Sequence, residues 1–180
     1  MNNYIIKSLF IALSVFSMNL SIEAQVRGEK SVGANIVTTS PLGEFDLLGA
    51  GVSFRYNFNR FLRAGSSFNY MFERNFEKSW DFNINMNFLI PLSNRFKIFP
   101  LSGMGVLGFN ANYPVMTDEW GFTYGGKRSY HYFGFNWGAG LDFKISNKLT
   151  FNAEGIFKME AKSNDAKTYS YITAGLAYSF

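Results

Sequence analysis

Residues 168–180, TYSYITAGLAYSF, alternate between two kinds of side chain. Ile172, Ala174, Leu176, Tyr178 and Phe180 are apolar at every second position, while Thr173, Gly175, Ala177 and Ser179 between them are small or polar. Successive side chains of an extended strand point to opposite faces, so this spacing describes a strand with one greasy face and one lean one.

The same pattern fills the body of the chain. Leu48, Ala50, Val52, Phe54, Tyr56 and Phe58 alternate with Gly49, Gly51, Ser53, Arg55 and Asn57. Leu62, Ala64, Phe68, Tyr70 and Phe72 stand against Arg63, Gly65, Ser67 and Asn69. In residues 80–90, Trp80, Phe82, Ile84, Met86, Phe88 and Ile90 face one way and Asp81, Asn83, Asn85 and Asn87 the other, a stretch no helical period accounts for. Phe133, Phe135, Trp137, Ala139, Leu141 and Phe143 repeat it, as do Leu149, Phe151, Ala153 and Phe157. A weaker first strand at 31–37 and one at 96–109 bring the expected total to eight, each near the roughly 9–11 residues with which a tilted strand crosses a bilayer. The fold class expected is therefore all-β, an eight-stranded antiparallel up-and-down transmembrane barrel. Pro100 cannot donate to a ladder, so a bulge or kink is expected there, and the facing stays open: either Met104 and Val106 meet lipid with Gly103 and Gly105 inward, or a bulge swaps the two sets.

The amino-terminal stretch has another character. Lys7 precedes the apolar run SLFIALSVFSMNL (8–20), and a small residue, Ala24, stands before Gln25. Residues 1–24 read as a cleaved signal peptide, the run being shorter than the ~20 residues of a spanning helix. Residues 25–180 then form one domain, with no cysteine for disulfide or thiol chemistry. Its formal charge of +4 suits anionic lipid and lipopolysaccharide head groups and is too small and dispersed for nucleic acid. Aromatic residues are 19% of the chain although mean hydropathy is −0.04. A membrane barrel reconciles the two, with aromatics on its lipid face and girdles balanced by a polar lumen.

Connection lengths suggest orientation. Short joins at 57–60, 91–95 and 145–148 alternate with longer, more polar ones at 38–46, 73–79, 110–128 and 161–167, as expected when both ends of the mature chain are periplasmic and the long loops face outward. A soluble barrel would turn the aromatic face inward. Against that, the opposite face carries Gly49, Gly51, Gly65, Gly138, Gly140 and Gly175, which suit a narrow interior. It also carries Arg55, Arg63, Asp81, Asp142, Lys144, Glu154 and Lys158, a near-balanced set able to pair across a lumen.

The terminal strand ending on Phe180, with Tyr178 and Leu176, resembles the closing strand of bacterial outer-membrane barrels, whose terminal aromatic strand addresses the chain to the barrel-insertion machinery. Residues 98–109, IFPLSGMGVLGF, are similar to the proline-then-glycine strand of the small-barrel family that includes the OmpA transmembrane domain and OmpX. The resemblance covers the mature chain and implies a Gram-negative outer-membrane protein of structural, adhesive or defensive role, sometimes a small pore.

Chemistry is sparse. One histidine and no cysteine cannot build the usual zinc site, and no cofactor motif is present. Gly125-Gly126-Lys127 lacks P-loop spacing. Ser129 and His131, with Asp118 and Glu119 nearby, are nominal parts of a hydrolase, which would make the chain a lipid A-modifying enzyme; an aromatic-girdle role suits the Tyr-His-Tyr stretch better. The expected function is a non-enzymatic envelope protein with its charge network plugging the lumen and Trp120, Phe122 and Tyr124 offered as a surface ligand site. A narrow porin-like channel lined by the same charges is the alternative.

Overall fold

The computed structural model describes residues 27–41, 47–117, 119–120, 123–161 and 168–180. The expected signal peptide, 1–24, lies outside them, as does part of the joins expected at 38–46, 110–128 and 161–167. Eight long strands follow one another: β1 Lys30–Pro41, β2 Leu47–Asn57, β3 Leu62–Arg74, β4 Glu77–Phe88, β5 Phe96–Thr117, β6 Thr123–Lys144, β7 Leu149–Glu160 and β8 Thr168–Ser179. A two-residue segment, Ile90–Pro91, continues β4 past a break at Leu89. Each strand pairs antiparallel with its sequence neighbour, and β1 pairs with β8 from Ser31↔Ser179 to Pro41↔Tyr169, which closes the sheet into a barrel. Closure leaves no edge through the barrel wall, the condition for strands to cross a membrane.

The two faces sort as the alternation requires. Ile36, Val52, Ile84, Phe135, Trp137, Leu176 and Tyr178 point outward and are exposed, while Arg55, Arg63, Asn83, Asp81, Asp142, Asn152 and Lys158 are buried within. A soluble protein does not expose so continuous an apolar surface, whereas lipid covers it without cost. Aromatic contacts gather at both rims: Tyr56 with Phe58 and Lys148 over Tyr178 at the end with the short turns, Phe68 with Trp80 and Tyr70 with Phe72 toward the other.

Three expectations are corrected. Residues 110–128 are mostly strand, since β5 runs to Thr117 and β6 resumes at Thr123, a ribbon that rises beyond the other strands. Residues 73–79 hold no long loop: β3 and β4 meet in a tight hairpin through Asn75 and Phe76, both at positive φ (53° and 66°). Pro100 makes no bulge. The β4–β5 register holds from Asn87↔Leu101 to Ile90↔Ile98, and the ladder simply lapses opposite the proline, which has no N–H to give, while Pro100↔Ala139 persists on the other side. Met104 does face outward and Gly103 and Gly105 face the lumen.

Several lumen glycines are there because neighbouring backbone lies where a Cβ would go. At Gly103 a Cβ would overlap the Ile84 carbonyl and the Asn85 backbone; at Gly155, on the lipid face, it would meet nothing within 4 Å. Gly103→Val should therefore destabilise the barrel by about 1–3 kcal/mol, whereas Gly155→Ala should be near neutral. Urea unfolding in micelles, followed by gel mobility, distinguishes them; equal effects would contradict this packing.

Candidate functional site

The lumen is filled by two polar clusters separated by apolar residues. Arg55 projects from β2 beside Gly65 of β3, where no side chain competes for space. Asp142 on β6 and Glu154 on β7 face it across the barrel, β2 and β6 being four strands apart in a ring of eight. Arg55 Nη2 donates to Glu154 Oε1 at 2.8 Å and its Nη1 reaches Asp142 Oδ1 at 3.4 Å, while Arg63 Nη1 donates to Asp142 Oδ2 at 2.5 Å. Arg63 also lies over the Phe99 ring, 4.5 Å from its centroid, and Phe99 fits because a Cβ on Gly140 would collide with it. Two arginines thus share one aspartate, and Glu154 supplies the second negative charge. Lys144, expected in this set, is only half-buried at the short-turn end and enters none of the four ion pairs formed among the described residues.

The second cluster centres on Asp81. Asn69 Nδ2 donates to Asp81 Oδ1 at 2.7 Å, and Asn83 Nδ2 and Lys158 Nζ donate to Oδ2 at 2.9 and 3.4 Å. Asn136 bridges further, to Asn83 and Asn85 at 3.0 and 2.9 Å. Lys158 reaches Asp81 by passing Gly134 and Gly105, where added Cβ atoms would press on its Cγ at 2.9 Å and its Nζ at 3.1 Å. Its Nζ also lies 5.5 Å from the Tyr171 ring centre. Between the clusters sits an apolar row, Leu101 and Ile156 flanking Gly138 in register. Val37, Leu47, Met71 and Leu107 form a buried layer toward the ribbon end.

Six of the seven expected network residues thus come together, in two groups instead of one. Arg63 and Glu154 do not bond; each reaches the other only through Asp142 and Arg55. Sequence reading passes over Phe99, Leu101 and Ile156, although the period-two parity of β5 and β7 already places them inward. Among the described residues the hydrolase parts do not assemble. Ser129 Oγ donates to Asn110 Oδ1 at 2.8 Å, His131 packs on Trp80 with ring centres 5.8 Å apart, Glu119 is exposed, and Asp118 lies outside the described residues. Of the loop trio, Trp120 is 86% exposed, Phe122 lies outside the described residues and Tyr124 is described only in its backbone, paired with Met116. Leu176, Tyr178 and Phe180 all face outward beside β1, and Phe180 N–H donates to the Lys30 carbonyl at 2.9 Å.

A closed eight-stranded barrel with an apolar exterior and an ion-paired interior defines a transmembrane barrel of the outer-membrane class. The family model described as "Outer membrane protein beta-barrel domain" matches residues 8–180, and the chain belongs to that family. Its fold is similar to that of Ail, the attachment invasion locus protein of Yersinia pestis, at 18% identity and a TM-score of 0.58, covering 86% of this chain and 100% of that one. Ail in complex with the heparin analogue sucrose octasulfate matches at 18% identity and 0.55, with the same coverage. Neisserial surface protein A matches at 12% identity and 0.63, over 84% of this chain and 96% of that one. No curated protein gives a significant match.

Removing the shared anion exposes the logic of the first cluster. Asp142→Asn leaves two buried guanidiniums with one carboxylate and should cost about 3–5 kcal/mol. In double-mutant cycles Arg63 should couple strongly to Asp142 and much more weakly to Glu154; equal coupling would contradict the pairing described.

Proposed function

We propose that the protein is a non-enzymatic outer-membrane barrel whose working part is the β5–β6 ribbon, standing outside the cell above a plugged lumen. The ribbon carries this reading. Among the described residues, the backbone bonds of β5 toward the β3–β4 hairpin end at Asn112 and those of β6 toward β7 begin at Phe133, so the ribbon beyond those points has two unshared edges. An unpaired edge offers its N–H and C=O groups to another extended chain, and exposed side chains beside it add selectivity. Tyr113, Val115, Met116 and Trp120 are exposed along this ribbon, with Lys127 and Arg128 near its base. The Tyr113 hydroxyl donates to Glu77, which ties the ribbon to the β3–β4 hairpin and pushes the phenol pKa up.

In this reading the short turns and both ends of the mature chain are periplasmic, and the outward aromatic bands meet lipid and lipopolysaccharide. Leu176, Tyr178 and Phe180 serve the insertion machinery, and Trp120, Phe122 and Tyr124 belong to the binding tip. The lumen residues Arg55, Arg63, Asp81, Asp142, Glu154 and Lys158 act as a plug. Support for the plug is their pairing and the full burial of Val37, Met71 and Asn152 among them, which leaves little room for a water path. The complex of Ail with the heparin analogue sucrose octasulfate suggests the class of ligand to try first, and the ribbon of this chain carries Lys127 and Arg128 to meet an anion.

Cells displaying the chain should be retained on a heparin-coated surface, and deletion of 113–126 should abolish retention while heat-modifiable gel mobility remains. Loss of the folded barrel on deletion, or equal retention of both forms, would overturn the ribbon as the binding element.

A further inference from the structure

The three short turns are one structure built three times. In the β2–β3 turn the Asn59 side chain accepts the N–H groups of Phe61 and Leu62 at 2.8 and 2.9 Å. Ser93 does the same for Arg95 and Phe96 in the β4–β5 turn, and Ser146 for Lys148 and Leu149 in the β6–β7 turn. In each, the capping residue and the one before it both donate their N–H to the carbonyl of the residue that opens the next strand, Leu62, Phe96 or Leu149. A short polar side chain that satisfies two backbone donors fixes such a turn locally.

Two side-chain features recur with this backbone. The residue before the cap is apolar and exposed: Phe58, Leu92 and Ile145. One or two residues after the cap stands an exposed cation: Arg60, Arg95 and Lys148. Arg27 and Lys30 are exposed on the same rim where β1 begins. None of these cations enters an ion pair among the described residues. Glu29, the one acidic side chain on this rim among those residues, accepts from Asn57 Nδ2 at 3.1 Å.

The Arg60 guanidinium lies over Phe61, 4.5 Å from the ring centre, and the Lys148 ammonium 5.8 Å from that of Tyr178. Both charges are thus held at the edge of the aromatic girdle, the level at which hydrocarbon gives way to head groups. The ribbon end differs, because acids are mixed with its cations. There Arg74 stands in register with Glu77, and Glu73 and Glu119 are exposed as Lys78 is.

We propose that the short-turn rim is a docking surface for anionic phospholipid, each turn seating a lipid phosphate against its cation and an acyl chain against the apolar residue before the cap. Charge and amphipathy together choose this partner. A soluble polyanion would use the cations and leave Phe58, Leu92 and Ile145 without a role. A zwitterionic lipid would cover those side chains but offset its phosphate with its own ammonium, where an anionic lipid is drawn to each basic residue near the surface. That this leaflet is the periplasmic one rests on the orientation proposed above; the lipid preference does not, and a bilayer with identical leaflets tests it alone.

The test is electron spin resonance of the refolded chain in phosphatidylcholine bilayers carrying a trace of spin-labelled phosphatidylglycerol or spin-labelled phosphatidylcholine. The motionally restricted fraction reports lipid held against the barrel. A severalfold preference for the anionic label is expected from the wild-type chain at low ionic strength, collapsing in concentrated sodium chloride. Arg60→Gln, Arg95→Gln and Lys148→Gln together should remove most of it while heat-modifiable gel mobility stays unchanged. Lys78→Gln, at the opposite rim beside Glu77, should leave it intact. Equal restriction of both labels by the wild-type chain, a preference that survives the triple substitution, or an equal loss with Lys78→Gln would overturn the proposal. So would displacement of the label by dissolved glycerol phosphate beyond that by sodium chloride at matched ionic strength, which would make the ligand free phosphate.

Discussion

A charge inside an eight-stranded barrel has nowhere to go but across. The wall is lipid-facing, the interior is only wide enough for side chains, and the backbone is already consumed by the ladder. Arg55 therefore reaches over the lumen to Asp142 and Glu154, and Lys158 to Asp81. These bonds tie opposite walls of one closed sheet together. Gly65, Gly105, Gly134 and Gly140 follow from the same constraint, each leaving room for a long side chain or ring that must cross from another strand. The interior is thus one design: cations long enough to span, anions to receive them, and gaps in the wall where they pass.

The apolar residues inside complete it. Leu101 and Ile156 separate the arginine cluster from the Asp81 cluster, and Val37, Leu47, Met71 and Leu107 seal the second from the ribbon end. Confining each network to a low-dielectric compartment strengthens its bonds and raises the cost of any rearrangement. Glu160, near the ribbon end of β7, is a buried acid whose Oε1 finds no donor among the described residues.

Much of this architecture is legible in the amino-acid sequence alone. Where one face meets lipid and the other a polar lumen, the contrast between successive residues is maximal, so β2, β4, β6 and β8 can be read with their facing, and Arg55, Arg63, Asp81 and Asp142 assigned inward. The upper parts of β5 and β6 read instead as loop, because both faces there meet water and polar residues give no alternating signal. The hairpin at Asn75 and Phe76 escapes notice because neither residue is glycine, the usual mark of positive φ. Pairing is illegible for another reason. Which cation meets which anion depends on the stagger of strands around the closed ring, so that Arg63 falls opposite Asp142 and short of Glu154, and no local pattern encodes this.

The central claim is that paired charges and the apolar layers close the lumen. Single-channel recording of the refolded mature chain in a planar bilayer, with insertion verified by heat-modifiable mobility, tests it most directly. A silent bilayer is the expected result. Stable unitary conductance steps from the wild-type chain would contradict a plugged interior and make Arg55, Arg63 and Glu154 the lining of a channel.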